Sequence, residues 1–122
     1  MSEEFFRVAR QEIQDELKAL ELAIASCGND ACIFENSREI KGHFHKIKGL
    51  APMIGETGVG EIAGIADVVL GHVVRNGSLS GSFAVIARAI GDMARVQSRT
   101  RETIVSDLKK MAREMLPQVT GF

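Results

Sequence analysis

Proline occurs only twice in the 122 residues, as Pro52 and Pro117, so few positions are barred from regular structure and disorder is not expected. Cysteine also occurs only twice, as Cys27 and Cys32, with no further Cys or His at a spacing that would complete a zinc site. Two reduced thiols are the expectation for this pair, and a small reversible disulfide is the alternative. An excess of charge of one sign is lacking too. Fifteen Lys and Arg stand against 16 Asp and Glu, a net charge of -1 that offers no broad basic surface and excludes a general nucleic-acid binder. The first eleven residues, MSEEFFRVARQ, are acidic and amphipathic, without the basic start and apolar core of a signal peptide. No apolar run approaches membrane-spanning length, so a cytoplasmic protein with no membrane partner is expected. There is no Gly-rich loop or P-loop to bind ATP, and no internal repeat, strand pattern or low-complexity tract.

What is present is helical periodicity. Hydrophobic residues make up 45% of the chain, enough for one core in a single domain spanning residues 1–122. Ser2 caps a first helix whose stripe is Phe6, Ala9, Ile13, Leu17, Leu20 and Ile24, and Gly28, Asn29 and Asp30 end it. A short apolar piece, Ala31 to Phe34, packs as a turn or short helix. Asn36 and Glu39 are spaced as a capping box for a second long helix starting at Ser37 or Arg38. Gly55 to Gly58 reads as a turn. A third helix from about Val59 to Val74 buries Val59, Ile62, Ala63, Ala66, Val69, Leu70 and Val73, with Ile65 and Val68 on its outward arc. After the loop Arg75 to Ser80, a heptad-like series runs from Phe83 to Met115. Its polar interruption at Gln97 and Thr100 predicts a break or a bend, since about 34 residues in one helix would rise roughly 50 Å.

The stretch Arg38 to Ile54 carries the chemistry. Wound at about 100° per residue, it places Ile40, Phe44, Ile47, Ala51 and Ile54 on one face. His45 points away from them, among Arg38, Lys41, Gly42, Lys48 and Gly49. Lys48 lies one turn on and can reach a group attached to the imidazole. Gly42 and Gly49 leave the ring without tall neighbours, although each costs its helix about 1 kcal/mol against alanine. Two such glycines beside a displayed histidine predict the close approach of another molecule. Pro52 must end or kink the helix, because it cannot donate to the Lys48 carbonyl. His43 lies against the core stripe, and His72 reads as structural or merely solvated.

His45, Lys48 and Gly49 spell H-x-x-K-G. With Ala51, Ile54, Gly55 ten residues after the histidine and Asp67 twenty-two after it, they resemble the signature of histidine phosphotransfer (HPt) domains. The phosphoacceptor domains of chemotaxis-type kinases are similar. The resemblance covers roughly Ser37 to Val74. It implies an all-α, antiparallel up-down four-helix bundle, extended at the C-terminus by a fifth helix or a longer fourth.

The resemblance also implies a phosphorelay role, in which His45 carries a phosphoryl group between receiver-domain aspartates or takes it from a sensor or hybrid histidine kinase. The protein would then be a monomeric carrier, not an enzyme. It would need no cofactor of its own, because Mg2+ belongs to the partner's receiver domain. Lys48 would offset phosphoryl charge, and Asp67, where the family has Glu or Gln, would hold the second ring nitrogen. Its shorter side chain needs the close helix approach that Gly60 and Gly64 permit. Arg38, Lys41, Gly42, Gly49, Gly60, Gly64, Ile65 and Val68 would meet the response regulator. Leu50 and Pro52 depart from the pattern, which has Ser or Ala at the first and more often a small residue at the second. Two other classes remain open: a non-catalytic adaptor or inhibitor that docks receivers or kinases, and a helical oligomerisation unit driven by the C-terminal stripe.

Overall fold

A computed structural model describes residues 2–122. It is all-helical, with no strand among the described residues. The long helix α1 (Glu3–Ser26) is followed by the short α2 (Asp30–Glu35), α3 (Ser37–Leu50), a 3-10 turn (Ala51–Ile54), α4 (Thr57–Asn76), α5 (Ser82–Arg95) and α6 (Arg101–Met115). Four helices, α1, α3, α4 and α5, surround a core that includes Leu20, Phe44, Ile47, Ile62, Leu70 and Ile86. The additional helix α6 packs on α4 and α5, so the heptad-like series is divided into two helices. The break at Val96–Thr100 is held locally: the Thr100 hydroxyl accepts from the Gln97 amide at 3.0 Å. Ile104, Leu108 and Ala112 bury the α6 stripe within the same chain.

The start of α1 behaves as its sequence predicts, with the Ser2 hydroxyl accepting from the Phe5 amide at 3.1 Å. The start of α3 does not. Asn36 makes no side-chain cap there, because its amide instead donates to the Cys32 carbonyl at 3.0 Å. Pro52 ends α3 at Leu50 and tightens the chain into the 3-10 turn, which closes at Gly55 with φ +79°. Its ring lies against α4 where Gly60 has no side chain. A Cβ at Gly60 would come within 3.1 Å of the Pro52 ring carbons.

Cys27 and Cys32 are joined, against the expectation of two thiols. The Asn29 side chain accepts from the Cys32 amide at 2.9 Å and folds the connection back, leaving the two Cα atoms 5.5 Å apart, within bridging range. Inside this loop, Asp30 reaches across the bundle to the start of α5. Its carboxylate accepts from the Gly81 and Phe83 amides at 3.0 and 2.7 Å and from the Ser82 hydroxyl at 3.3 Å. Gly81 has no side chain with which to cap α5, and Asp30 supplies that cap from another element.

The centre of the bundle is α4, packed on α3, α5, α6 and the 3-10 turn. By length and composition it is apolar enough to cross a membrane, which the expectation of no such run had missed, yet most of it is buried within this fold. Ile65 also departs from its expected place on the outward arc. It is only 4% exposed, not outward-facing, because α6 and the following segment cover that side of α4.

Candidate functional site

The spacing that separates the two faces of α3 leaves Ile40, Phe44 and Ile47 sealed in the core and the His45 side chain 69% exposed. Opposite it on α4 stands Asp67, its side chain 9% exposed, and three α3 side chains converge there. The Lys41 ammonium donates to Oδ1 at 2.8 Å, His45 Nδ1 is 3.3 Å from Oδ2, and the Lys48 ammonium is 3.6 Å from Oδ2. Residues 41, 45 and 48 are spaced four and three apart, which is why one carboxylate can meet all three. Burial opposes ionisation of Asp67, but hydrogen bonds from Lys41 and His45, reinforced by their charge, outweigh it and hold its pKa below the ordinary value. An ionised carboxylate can only accept, so the contact with Asp67 selects the tautomer with the proton on Nδ1 whenever the ring is neutral, and in that form the lone pair is on Nε2.

Two glycines of α4 bracket Asp67 and face the lysine stems. A Cβ at Gly71 would lie 3.6 Å from Lys41 Cε and 3.2 Å from the Arg75 guanidinium, and one at Gly64 would lie 4.0 Å from Lys48 Cδ and Cε. Gly64 faces Lys48 but has room for a methyl group, and Gly60 lies against Pro52 instead of Asp67. Gly71, which was not among the predicted site residues, is the second glycine facing a lysine of the site. Its position four residues after Asp67 was the available signal.

Gly42 and Gly49 are exposed, and a Cβ at either would meet nothing within 4 Å. Internal packing therefore gives no reason for them. Arg38 is exposed and continues the basic strip, while Val68 is half-buried and Ile65 buried. A shallow depression of about 480 Å³ adjoins His45 on the α1 side, lined by Glu12, Lys46, Gly49, Leu50 and Met53.

His43 is engaged elsewhere. Its Nδ1 pairs with Glu16 of α1, whose other oxygen meets the Lys46 ammonium at 3.1 Å. Burial acts against ionisation of Glu16, yet His43 and Lys46 together lower its pKa. A second acid was missed by the sequence reading: Asp92 is fully buried, with Arg88 and Arg95 on Oδ1 at 3.2 and 2.7 Å and no partner on Oδ2. Arginines four before and three after an aspartate on one helix were its signal. No group of His, Cys, Asp and Glu that could hold a metal ion occurs among the described residues.

No protein-family model, curated protein or solved structure matches the chain. The likeness to HPt domains therefore stands on the residue pattern.

Proposed function

We propose that this protein is a phosphoryl carrier of the HPt type, with His45 as the acceptor. The observation that carries the reading is the placement of that ring: exposed, with Nδ1 facing the Asp67 carboxylate at 3.3 Å, which in the neutral ring directs the Nε2 lone pair to attack. In the forward step, the Nε2 lone pair forms a bond to phosphorus of a receiver's aspartyl phosphate. The P–O bond to the aspartate breaks, and its electron pair returns to that carboxylate. The ring is then a phospho-imidazolium whose Nδ1–H keeps its partner in Asp67. Reversal of the same step onto a second receiver regenerates neutral His45. Lys48, the more loosely held of the two lysines, turns from Asp67 to the phosphoryl oxygens and offsets their charge. Mg2+ and the machinery that activates the aspartate belong to the partner, which is a receiver domain or a sensor or hybrid kinase. The same reading makes the protein a cytoplasmic monomer in which Cys27 and Cys32 are oxidised only transiently.

A second reading, an adaptor that docks receivers without turnover, has one observation in its favour: Lys41 and Lys48 are both already drawn to Asp67. Incubation of wild type and His45→Ala with phosphorylated receiver domains separates the two. The carrier gains an acid-labile phosphoryl group that the variant does not. An adaptor binds in both forms and is never labelled.

A further inference from the structure

The two flanks of the His45 face differ. On the α4 flank, the segment after α6 turns back along the bundle, with the Val119 amide donating to the Leu116 carbonyl at 3.0 Å and both side chains buried. Gly121 then presses on Val68 so closely that a Cβ there would sit 3.2 Å from Val68 Cγ1, and Phe122 is half-buried against the core. Gly121 and Phe122 form one wall of a groove of about 310 Å³ whose other walls include Lys48, Gly64 and Lys109. The chain thus covers residues that the sequence pattern had left for a partner. On the opposite flank α1 packs along α3 and the 3-10 turn but stops short of the rim next to His45. Met53 is 47% exposed there, beside Gly49 and Leu50, in the depression that adjoins His45.

We propose that residues 117–122 form a fixed cover that closes the α4 flank, and that a partner domain reaching His45 seats on the α1–α3 flank over Gly49, Leu50 and Met53. The inference rests on the reading of His45 as phosphoacceptor and adds the side of approach and the character of the partner. Close to the ring, the partner brings the acidic pocket of a receiver, facing Lys48 and Lys41. Farther out it meets Glu12 and Asp15, exposed on α1, because Lys46 is already paired with Glu16. The partner's outer rim over α1 is therefore basic, and an apolar recess takes Met53.

The test uses the full chain. Phosphoramidate, a small phosphoryl donor that needs no docking surface, establishes whether wild-type His45 accepts phosphoryl at all. Transfer from a panel of phosphorylated receiver domains is then timed for wild type, Met53→Glu, Lys109→Glu and a form lacking Gly121 and Phe122, each first checked for helical content by circular dichroism. Met53→Glu slows transfer tenfold or more, while Lys109→Glu and the shortened chain stay within about twofold of wild type. Slowing by Lys109→Glu with Met53→Glu unaffected overturns the side of approach. Acceleration of fivefold or more in the shortened chain overturns the fixed cover, because it means that docking must displace the segment. Transfer from a receiver that Met53→Glu leaves unchanged overturns the inference alone, whereas labelling by phosphoramidate with no transfer from any receiver removes the carrier reading as well. Failure of both donors removes the carrier reading and the inference with it.

Discussion

Gly49 is the position where stability and docking pull in opposite directions. It lies in the last turn of α3, exposed, and an added Cβ would touch nothing within 4 Å. Gly49→Ala therefore removes backbone freedom from the unfolded chain at no steric cost and is expected to raise stability by about 0.5–1 kcal/mol. For a domain of this size that is an increase of roughly 2–6 °C in Tm. If a partner's backbone passes over this residue on its way to His45, the new methyl group must be accommodated in the interface. Overpacking of that kind costs about 1–3 kcal/mol, or about 5- to 150-fold in docking. Calorimetry and the rate of phosphoryl transfer from a receiver domain, measured on the same variant, give both numbers. A rise in Tm with transfer unchanged refutes the idea that the glycine is kept for a visitor. A fall in Tm refutes the reading of the space around it. Gly42→Ala, equally unobstructed and nearer the middle of the helix, serves as a replicate.

Asp67→Asn keeps the shape of the carboxylate and removes its charge, so Lys41 and Lys48 lose their shared partner and the His45 ring its fixed acceptor; transfer is expected to fall by tenfold or more, measured by single-turnover labelling. Asp67 and Glu16 both have pKa values lowered by folding. Their contribution to stability is therefore present above the unfolded carboxylate range, about pH 4, and is lost as pH falls below it toward the folded values. Urea midpoints of wild type should drop on acidification through that window, and Asp67→Asn should flatten part of the drop. Asp30→Ala removes the acceptor for three donors at the start of α5, and a loss of about 1–2 kcal/mol is expected by urea unfolding, with helical content nearly unchanged. Reduction of the Cys27–Cys32 bond opens a short loop and is expected to cost about 2 kcal/mol in the same assay, while phosphoramidate labelling of His45 keeps its rate.

The display of His45 was legible because one helix decides it: with Ile40, Phe44 and Ile47 inward, residue 45 has nowhere to point but out. The end of α3 at Pro52 and the division of the C-terminal stripe near Gln97 were legible for similarly local reasons. What depends on two elements was not. Lys41 reads in sequence as part of a solvated strip, yet its ammonium crosses to Asp67, 26 residues away. Ile65 reads as outward on α4 taken alone and is buried once α6 and the segment after it pack there. Asn36 has the spacing of a cap, but its side-chain NH2 donates back to the Cys32 carbonyl of the preceding turn and its oxygen caps nothing on α3. The reach of Asp30 to residues 51 to 53 positions later has no periodic signature at all.

Transfer to His45 itself is the most direct measurement. Wild type mixed with a phosphorylated receiver domain, quenched at neutral pH and examined intact by mass spectrometry, is expected to gain one phosphoryl group, lost on mild acid treatment and absent from His45→Ala. A phosphoryl group that survives acid, that persists in His45→Ala, or that no receiver ever delivers contradicts the account.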